Sequence, residues 1–495
     1  MRVLLIQPPF ERLRGFKVNY FPINLGQLAA CLNVHNYYAR VYNSEVSISH
    51  NNESMKYSEL NRATSQNRFI ASFKDDNNPV WQEIKKTIID FEPDIVGITT
   101  MTATFPVALK IARFSKELSK DIHVVFGGCH ATVMPESVIS KDEVDFVVIG
   151  EGDIAFVELC EALKLNNRDD LRKIKGLMFK LDGRIYRNEE RGFVRNIDAL
   201  PFIKREALLY QECFGPESYS GIIGSRGCPY NCSFCSSPAI WKRKTRYRSP
   251  EKIVEELNYL REKYKVSRFT FWDDTFTAHK DNILQFCALL KDNKNKFSWT
   301  CLVRANTVDD QILDELRSAG CYSVSIGIES GSDRILKLLN KGITIPMVRD
   351  AVALIKKKKF LLGSFWIFGL PHETAEDMRM TIDLMKELPL DHLNFCTFTP
   401  EPLTELYDYC ISEGIIEKDV DWSTQLGISH HSTDNFFNNK VSKELYDKLL
   451  TEALYVVEHK NKRRLLARLI SIWGQRKTLL RPTIFFQRLK RAITR

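Results

Sequence analysis

"SRGCPYNCSFCSS", residues 225–237, places Cys228, Cys232 and Cys235 within eight positions at the spacing C-x3-C-x2-C, with no histidine or fourth cysteine close behind. A structural zinc site is tetrahedral and closed by four protein ligands, so three thiolates match it poorly. A 4Fe-4S cluster also takes four ligands, usually cysteines. Three would leave one iron open to a substrate or cofactor. The bland alternative is three unrelated buried cysteines.

The surroundings of this loop read as a barrel. "GIIGS" (221–225) precedes it, and "SPEKIVEELNYLREKY" (249–264) follows as a helix, with Ser249 at the N-cap, Pro250 at N1 and Glu251 in the first turn. Strand-like runs then recur at 268–276, 298–306, 323–331, 363–371 and 393–400, separated by stretches of helical periodicity such as 309–320. Six such units predict a partial parallel (β/α)6 barrel, in which the C-terminal strand ends form the active face. Upstream, residues 1–165 alternate runs such as "RVLLIQ" (2–7), "YARVYN" (38–43), "DIVGITT" (94–100), "IHVVFGG" (122–128) and "FVVIGEG" (146–152) with helical patterns at 23–33 and 107–118. Continuous Val/Ile runs bounded by glycine predict a doubly wound parallel sheet with any ligand outside the carboxyl ends of its strands. The fold class is therefore α/β. The expected units are an α/β domain at 1–165, a linker with an Asp182-Gly183 hairpin at 166–213, the barrel at 214–435, and a helical segment with a basic tail at 436–495.

Composition narrows the class. In 495 residues, 44% hydrophobic and 27% charged content describes a globular protein of more than one domain. Twelve cysteines without an export signal or an apolar run of spanning length point to metal or thiol chemistry and a cytoplasmic setting. Residues 460–495 hold 12 of the 71 Lys and Arg and none of the 62 Asp and Glu, so the remainder carries 59 against 62 and the basic character belongs to the tail. Within 461–495, apolar faces (Leu465, Leu466, Leu469, Ile470, Trp473; then Phe485, Phe486, Leu489, Ile493) oppose basic ones. Two readings stay open: an interfacial helix on the inner face of a membrane, or a face docked on the barrel's open side. Nucleic acid is disfavoured, because stacking platforms and a recognised RNA module are missing.

Along this path the chain resembles the radical S-adenosylmethionine superfamily. "CPYNCSFC" matches its CxxxCxφC signature with Phe234 as φ; "FWDDTF", "IGIESGS" and "WIFGLPHET" resemble its second-, fourth- and fifth-strand segments. With the upstream domain, and with "PINLGQLAACL" and "FGGCHATVMPE", the likeness narrows to the cobalamin-binding class and covers roughly residues 1–410. The resemblance implies that Cys228, Cys232 and Cys235 hold a 4Fe-4S cluster. It also implies that Phe234, Asp273, Asp274, Arg304, Glu329 and Gly369 contact S-adenosylmethionine. Cobalamin falls to Asn24, Gly26, Thr99, Thr100, Gly127, Gly128, His130, Glu151 and Gly152. The implied activity is methyl transfer to an unactivated carbon of a small-molecule or lipid-like substrate through a 5′-deoxyadenosyl radical, fed by an external donor such as flavodoxin or ferredoxin. Cyclisation, oxidation or rearrangement without methyl transfer is the alternative, followed by a methylthiotransferase and a non-catalytic cofactor carrier.

Three departures accompany the resemblance. The DxHxxG motif that offers a histidine to cobalt is absent, the chain reading "YNSEVSISH" after the second strand; His372 and Leu403 stand where the family often has glycine. The other nine cysteines show no second cluster motif. Among them Cys301, on a barrel strand, is a candidate radical quencher.

Overall fold

The computed structural model describes residues 1–48 and 58–475, with the side chains of Glu59 and of 463–475 left aside. Two mainly parallel sheets organise the chain. The first contains β1 (Arg2–Gln7), β2 (Tyr38–Asn43), β3 (Ile95–Thr99), β4 (His123–Gly127), β5 (Phe146–Val148), β6 (Leu177–Leu181) and β7 (Arg184–Arg187), in the order β2-β1-β3-β4-β5-β6-β7. The first five are mutually parallel, whereas β6 and β7 join antiparallel. The Asp182-Gly183 hairpin expected in the linker thus lengthens the sheet, because β6 pairs with the free edge of β5 and buries Leu177 and Phe179. Val3, Leu4, Leu5 and Ile6 are all fully buried, as strands covered on both faces require. The polar stretch expected to be an insertion folds in part: helices Gln66–Lys74 and Pro79–Phe91 bury Phe69 and Trp81 against this sheet.

Chain order reverses between β1 and β3, the switch point at which doubly wound sheets bind their ligands. Helix Ile23–Val34 follows β1 and helix Gly152–Lys164 follows β5; the two pack on the same face and frame that point.

The second sheet has six parallel strands: β8 (Gly221–Ile222), β11 (Arg268–Phe271), β12 (Ser298–Val303), β13 (Cys321–Glu329), β14 (Leu361–Phe368) and β15 (His392–Thr397). Between β8 and β11, a ribbon of β9 (Ser225–Arg226) and β10 (Arg246–Tyr247) pairs antiparallel and carries the cysteine loop. The sheet stays open, as a partial barrel. Alternation along β12 sends Trp299, Cys301 and Val303 into the helix layer, where Trp299 packs on Phe271, Phe276 and Phe286. Cys301 therefore lies outside the barrel lumen, beside Cys321 and Cys287, and is not placed to quench a radical there.

Helix Lys443–Gln475 closes the β15 side. It buries Tyr446, Leu449, Leu450, Ala453 and Val457, and its Asn461 accepts from the Leu393 N–H (2.9 Å) and donates to the Leu393 carbonyl (3.0 Å). The helical segment expected ahead of the basic tail is thus docked on the barrel over 443–462. The apolar and basic faces expected in 463–495 lie outside the described side chains. Among the described residues, no helix is long and apolar enough to cross a membrane.

Candidate active site

A cavity of about 420 Å³ lies where the C-terminal edge of the first sheet faces the cysteine ribbon. Its depth is apolar, with Leu5, Gly97, Val125 and Phe156 beneath the strand ends. Its rim is glycine backbone. A Cβ added at Gly127 would meet nothing nearer than 4.0 Å, and one at Gly150 nothing within 4 Å, so both leave room that a side chain would fill. Linker residues 197–198 and 200–203 and Trp272 and Trp241 of the second domain complete the wall. An apolar pocket rimmed by bare backbone at a switch point fits a large cofactor with amide edges, which is the chemistry of cobalamin.

Six of the nine residues expected at cobalamin line this cavity: Asn24, Thr99, Gly127, Gly128, Glu151 and Gly152. Asn24 donates to Thr99 Oγ1 (3.3 Å) across the switch point. Three do not. Gly26 faces Phe21 and Ile203, where a Cβ would collide with the Phe21 ring. Thr100 turns inward to donate to the Gly127 carbonyl (3.0 Å). His130 is fully buried on the Phe105 ring, its Nδ1 3.3 Å from Thr102 Oγ1, and burial pushes its pKa down to about 4. Where a cobalt-ligating histidine loop is absent, Glu45 is buried instead and accepts the N–H groups of Phe10, Glu11 and Arg12.

The cysteine loop is pinned at several points. Gly227 (φ +97°) turns where a Cβ would run into the Lys244 carbonyl. Ser233 N–H donates to the Leu339 carbonyl (3.0 Å), and Asn340 donates to the Asn231 carbonyl (2.8 Å). All three thiols are free. Cys228 Sγ lies 3.8 Å from Thr275 Oγ1, Cys235 Sγ accepts from Ser237 N–H (3.4 Å), and Arg304 Nη1 approaches Cys232 Sγ at 3.6 Å. Burial holds the Cys228 and Cys235 thiols up, Cys235 to about 12, so the thiolate form there calls for a bound cation. No His, Cys, Asp or Glu set among the described residues converges on a single-ion site. The thiolates of a cubane each bind a different iron, so its ligands need not converge on one point.

The residues expected at S-adenosylmethionine divide by orientation. Asp273 is buried and spent on the fold, accepting from Ser225 Oγ (2.5 Å) and Gly224 N–H (3.0 Å); burial raises its pKa to about 6. Its neighbour Asp274 points the other way, lines the cavity and accepts from Ser237 Oγ (3.1 Å) beside Cys235. Arg304 stacks on Tyr230 (3.8 Å to the ring centre), and its Nε is buried without a partner. Glu329, at φ +69°, pairs with Lys341 Nζ at 2.7 Å. Gly327 makes room for that pair, since a Cβ there would meet Lys341 Nζ at 2.9 Å. Phe234 sits below Lys341, 5.6 Å from ring centre to Nζ. Gly369 (φ +80°) is roofed by Tyr446 and donates its N–H to Glu373 (2.7 Å), so Tyr446 stands between it and a ligand on that side. Buried, unpartnered Arg304 Nε and Glu373 Oε1 mark polar capacity that the protein leaves unused on the barrel's active face.

Sequence reading passed over Lys341, Glu373 and Tyr230. His372 stacks on Tyr409 (3.8 Å between ring centres). Leu403 adopts φ +61°, a conformation that explains glycine in the family pattern.

Comparison with known proteins agrees with this geometry. The Radical SAM superfamily model matches residues 222–385 and the B12 binding domain model matches 60–160. An uncharacterized methyltransferase of Pyrococcus horikoshii is 36% identical over 340 residues, 68% of this chain and 73% of its own length. The anaerobic magnesium-protoporphyrin IX monomethyl ester cyclase of Rubrivivax gelatinosus is 28% identical over 334 residues, and the chain spans 60% of its length. In fold, the chain is similar to the radical S-adenosylmethionine methyltransferase TsrM of Kitasatospora setae, solved with cobalamin and a 4Fe-4S cluster. The TM-score is 0.62 at 18% identity, over 83% of this chain and 75% of that one. It is also similar to the cobalamin-dependent enzyme OxsB, with a TM-score of 0.60 at 16% identity over 97% of this chain and 62% of that one. The chain belongs to the cobalamin-binding class of the radical S-adenosylmethionine superfamily. It is an enzyme of that class, and its cofactors are a 4Fe-4S cluster, S-adenosylmethionine and cobalamin.

Proposed function

We propose that the enzyme transfers a methyl group to an unactivated carbon of a small-molecule or lipid-like substrate. The observation that carries this reading is the single cavity shared by the glycine rim of the first sheet and by Ser225, Arg226, Gly227 and Asp274 around the cluster loop. When bound, cluster and S-adenosylmethionine supply a hydrogen-abstracting radical, and cobalamin supplies a methyl group. The chain's own part is placement. Cys228, Cys232 and Cys235 hold iron; Asp274, Arg304 and the Glu329–Lys341 pair present opposite charges to a zwitterionic cofactor; the apolar walls exclude water. Methyl-labelled S-adenosylmethionine tests the reading: product heavier by one labelled methyl group supports it, and 5′-deoxyadenosine with product of unchanged carbon count overturns it.

A second reading, radical cyclisation or oxidation without methyl transfer, is favoured by the relatives named as cyclases. The same mass measurement separates the two. Flavodoxin or ferredoxin is the proposed electron donor, and 461–495 is proposed to touch an anionic membrane face. Deleting 461–495 should then abolish flotation with anionic liposomes, and unchanged flotation would remove the membrane contact.

A further inference from the structure

The wall between the glycine rim and the cysteine loop contains four charges that close on one another. Glu151 and Asp153 flank the first residue of helix Gly152–Lys164 in the first domain. Arg226, two residues before Cys228, reaches Glu151 Oε1 at 2.6 Å and both Asp153 oxygens at 2.7 and 3.1 Å. Arg246, opposite Arg226 in the ribbon, donates to Glu151 Oε2 (2.7 Å) and the Val194 carbonyl (2.9 Å), and stacks near Phe193 and Trp241. Val194 N–H also donates to Glu151 Oε2 (2.7 Å). The acidic side chains are 4 and 5% exposed, the arginines 19 and 12%. Two guanidiniums and two carboxylates sum to zero, and the helix N-terminus favours the acidic half. Bidentate arginine contacts fix orientation as well as distance, which a lysine at the same position cannot do.

We infer that Arg226, held by Glu151 and Asp153, is a positioning residue that sets the separation and angle between the cobalamin pocket and the cluster. The inference rests on location. Glu151, Gly152 and Asp153 form the rim of one cofactor site, and Arg226 belongs to a two-residue strand leading straight into the cysteines of the other. Arg246, across the ribbon, joins the same rim through Glu151, but it lies farther along the chain from the cysteines. The pair is thus a strut between two cofactors, and Glu151 is committed to it rather than free for a ligand.

The test uses the full chain, purified without oxygen and carrying both cofactors, compared with Arg226→Gln, Arg226→Lys and Asp153→Asn. Paramagnetic resonance of the reduced cluster and cob(II)alamin in one sample reads their magnetic interaction, which depends steeply on separation. A defined interaction is expected in the unmodified protein, broadened in Arg226→Gln and Asp153→Asn with iron and cobalamin contents unchanged, and partly restored in Arg226→Lys. Lys242→Gln, which breaks the exposed Lys242–Glu190 pair nearby, is the control and should leave the spectrum alone. An unmoved interaction in both Arg226→Gln and Asp153→Asn overturns the inference, as does an equal change in Lys242→Gln. Should Arg226→Gln lose its cofactors, Asp153→Asn decides. The inference builds on the two-cofactor assignment, which fails separately if the unmodified protein shows only one of the two signals.

Discussion

The two parallel sheets end in opposite ways. At the carboxyl edge of the first, the strands run out into Thr99, Gly127-Gly128 and Gly150, and the space beyond is open. At the same edge of the second, the strand ends carry ionisable side chains with partners already in place: Asp273 with Ser225, Glu329 with Lys341, Arg304 with Tyr230 and Cys232, and Glu373 with the Gly369 N–H. One edge leaves room and offers backbone. The other presents side chains oriented before any ligand arrives, the arrangement that a reactive intermediate needs.

The contrast is broken most severely at the metal. Cys232→Ala should remove the iron–sulfur absorbance and bring product formation to background, while cobalamin content, read from its own visible bands, persists. Next in size, Lys341→Met leaves Glu329 buried and unpaired and should cost about 3–5 kcal/mol in denaturant titration, with weakened S-adenosylmethionine binding by calorimetry. Gly128→Ala and Gly227→Ala sharpen the comparison, because both residues have positive φ and both substitutions meet backbone. Each should lower stability by roughly 1–3 kcal/mol. Cobalamin occupancy should fall in the first and iron occupancy in the second; a loss of both in either variant would contradict two separable edges.

A pH effect comes below these. Burial raises the Glu373 carboxyl to about 8 from an ordinary 4.5. The folded chain therefore holds a proton that the unfolded chain gives up between those values, so this group's contribution is complete below about 4.5 and declines as pH rises through about 8. Glu373→Gln should flatten the melting temperature across that window. The smallest change is Cys301→Ala, which should cost about 1 kcal/mol for a small cavity and leave turnover untouched, since the thiol faces the helix layer.

What the sequence disclosed was local. The C-x3-C-x2-C loop, the glycines after β4 and β5, and the Val/Ile runs each declare themselves within a few residues, because thiolate spacing, positive φ and two-sided burial act over that range. Asp273 and Asp274 show where this stops. Adjacent in sequence, they point to opposite sides of a strand end, and only the register of β8 beside β11 says that Asp273 is the inward one. Glu151 with Arg226 and Glu373 with Gly369 depend on chain crossings or turns that periodicity does not encode. The Asp182-Gly183 turn was legible, but its partner strand was not, since pairing with β5 depends on which sheet edge lies free.

An open sheet keeps two edges, and each is a row of unpaired amides and carbonyls able to recruit a strand from another molecule. At β15, Asn461 reproduces with its side-chain amide the donor and acceptor that a neighbouring strand would offer Leu393, and the helix bearing it lies along that edge. This helix therefore acts as a guard for solubility as well as a piece of core. A chain cut before Lys443 would keep every cofactor-facing residue named above and yet present a bare β edge beside Phe368 and Phe395, the surface from which self-association would begin.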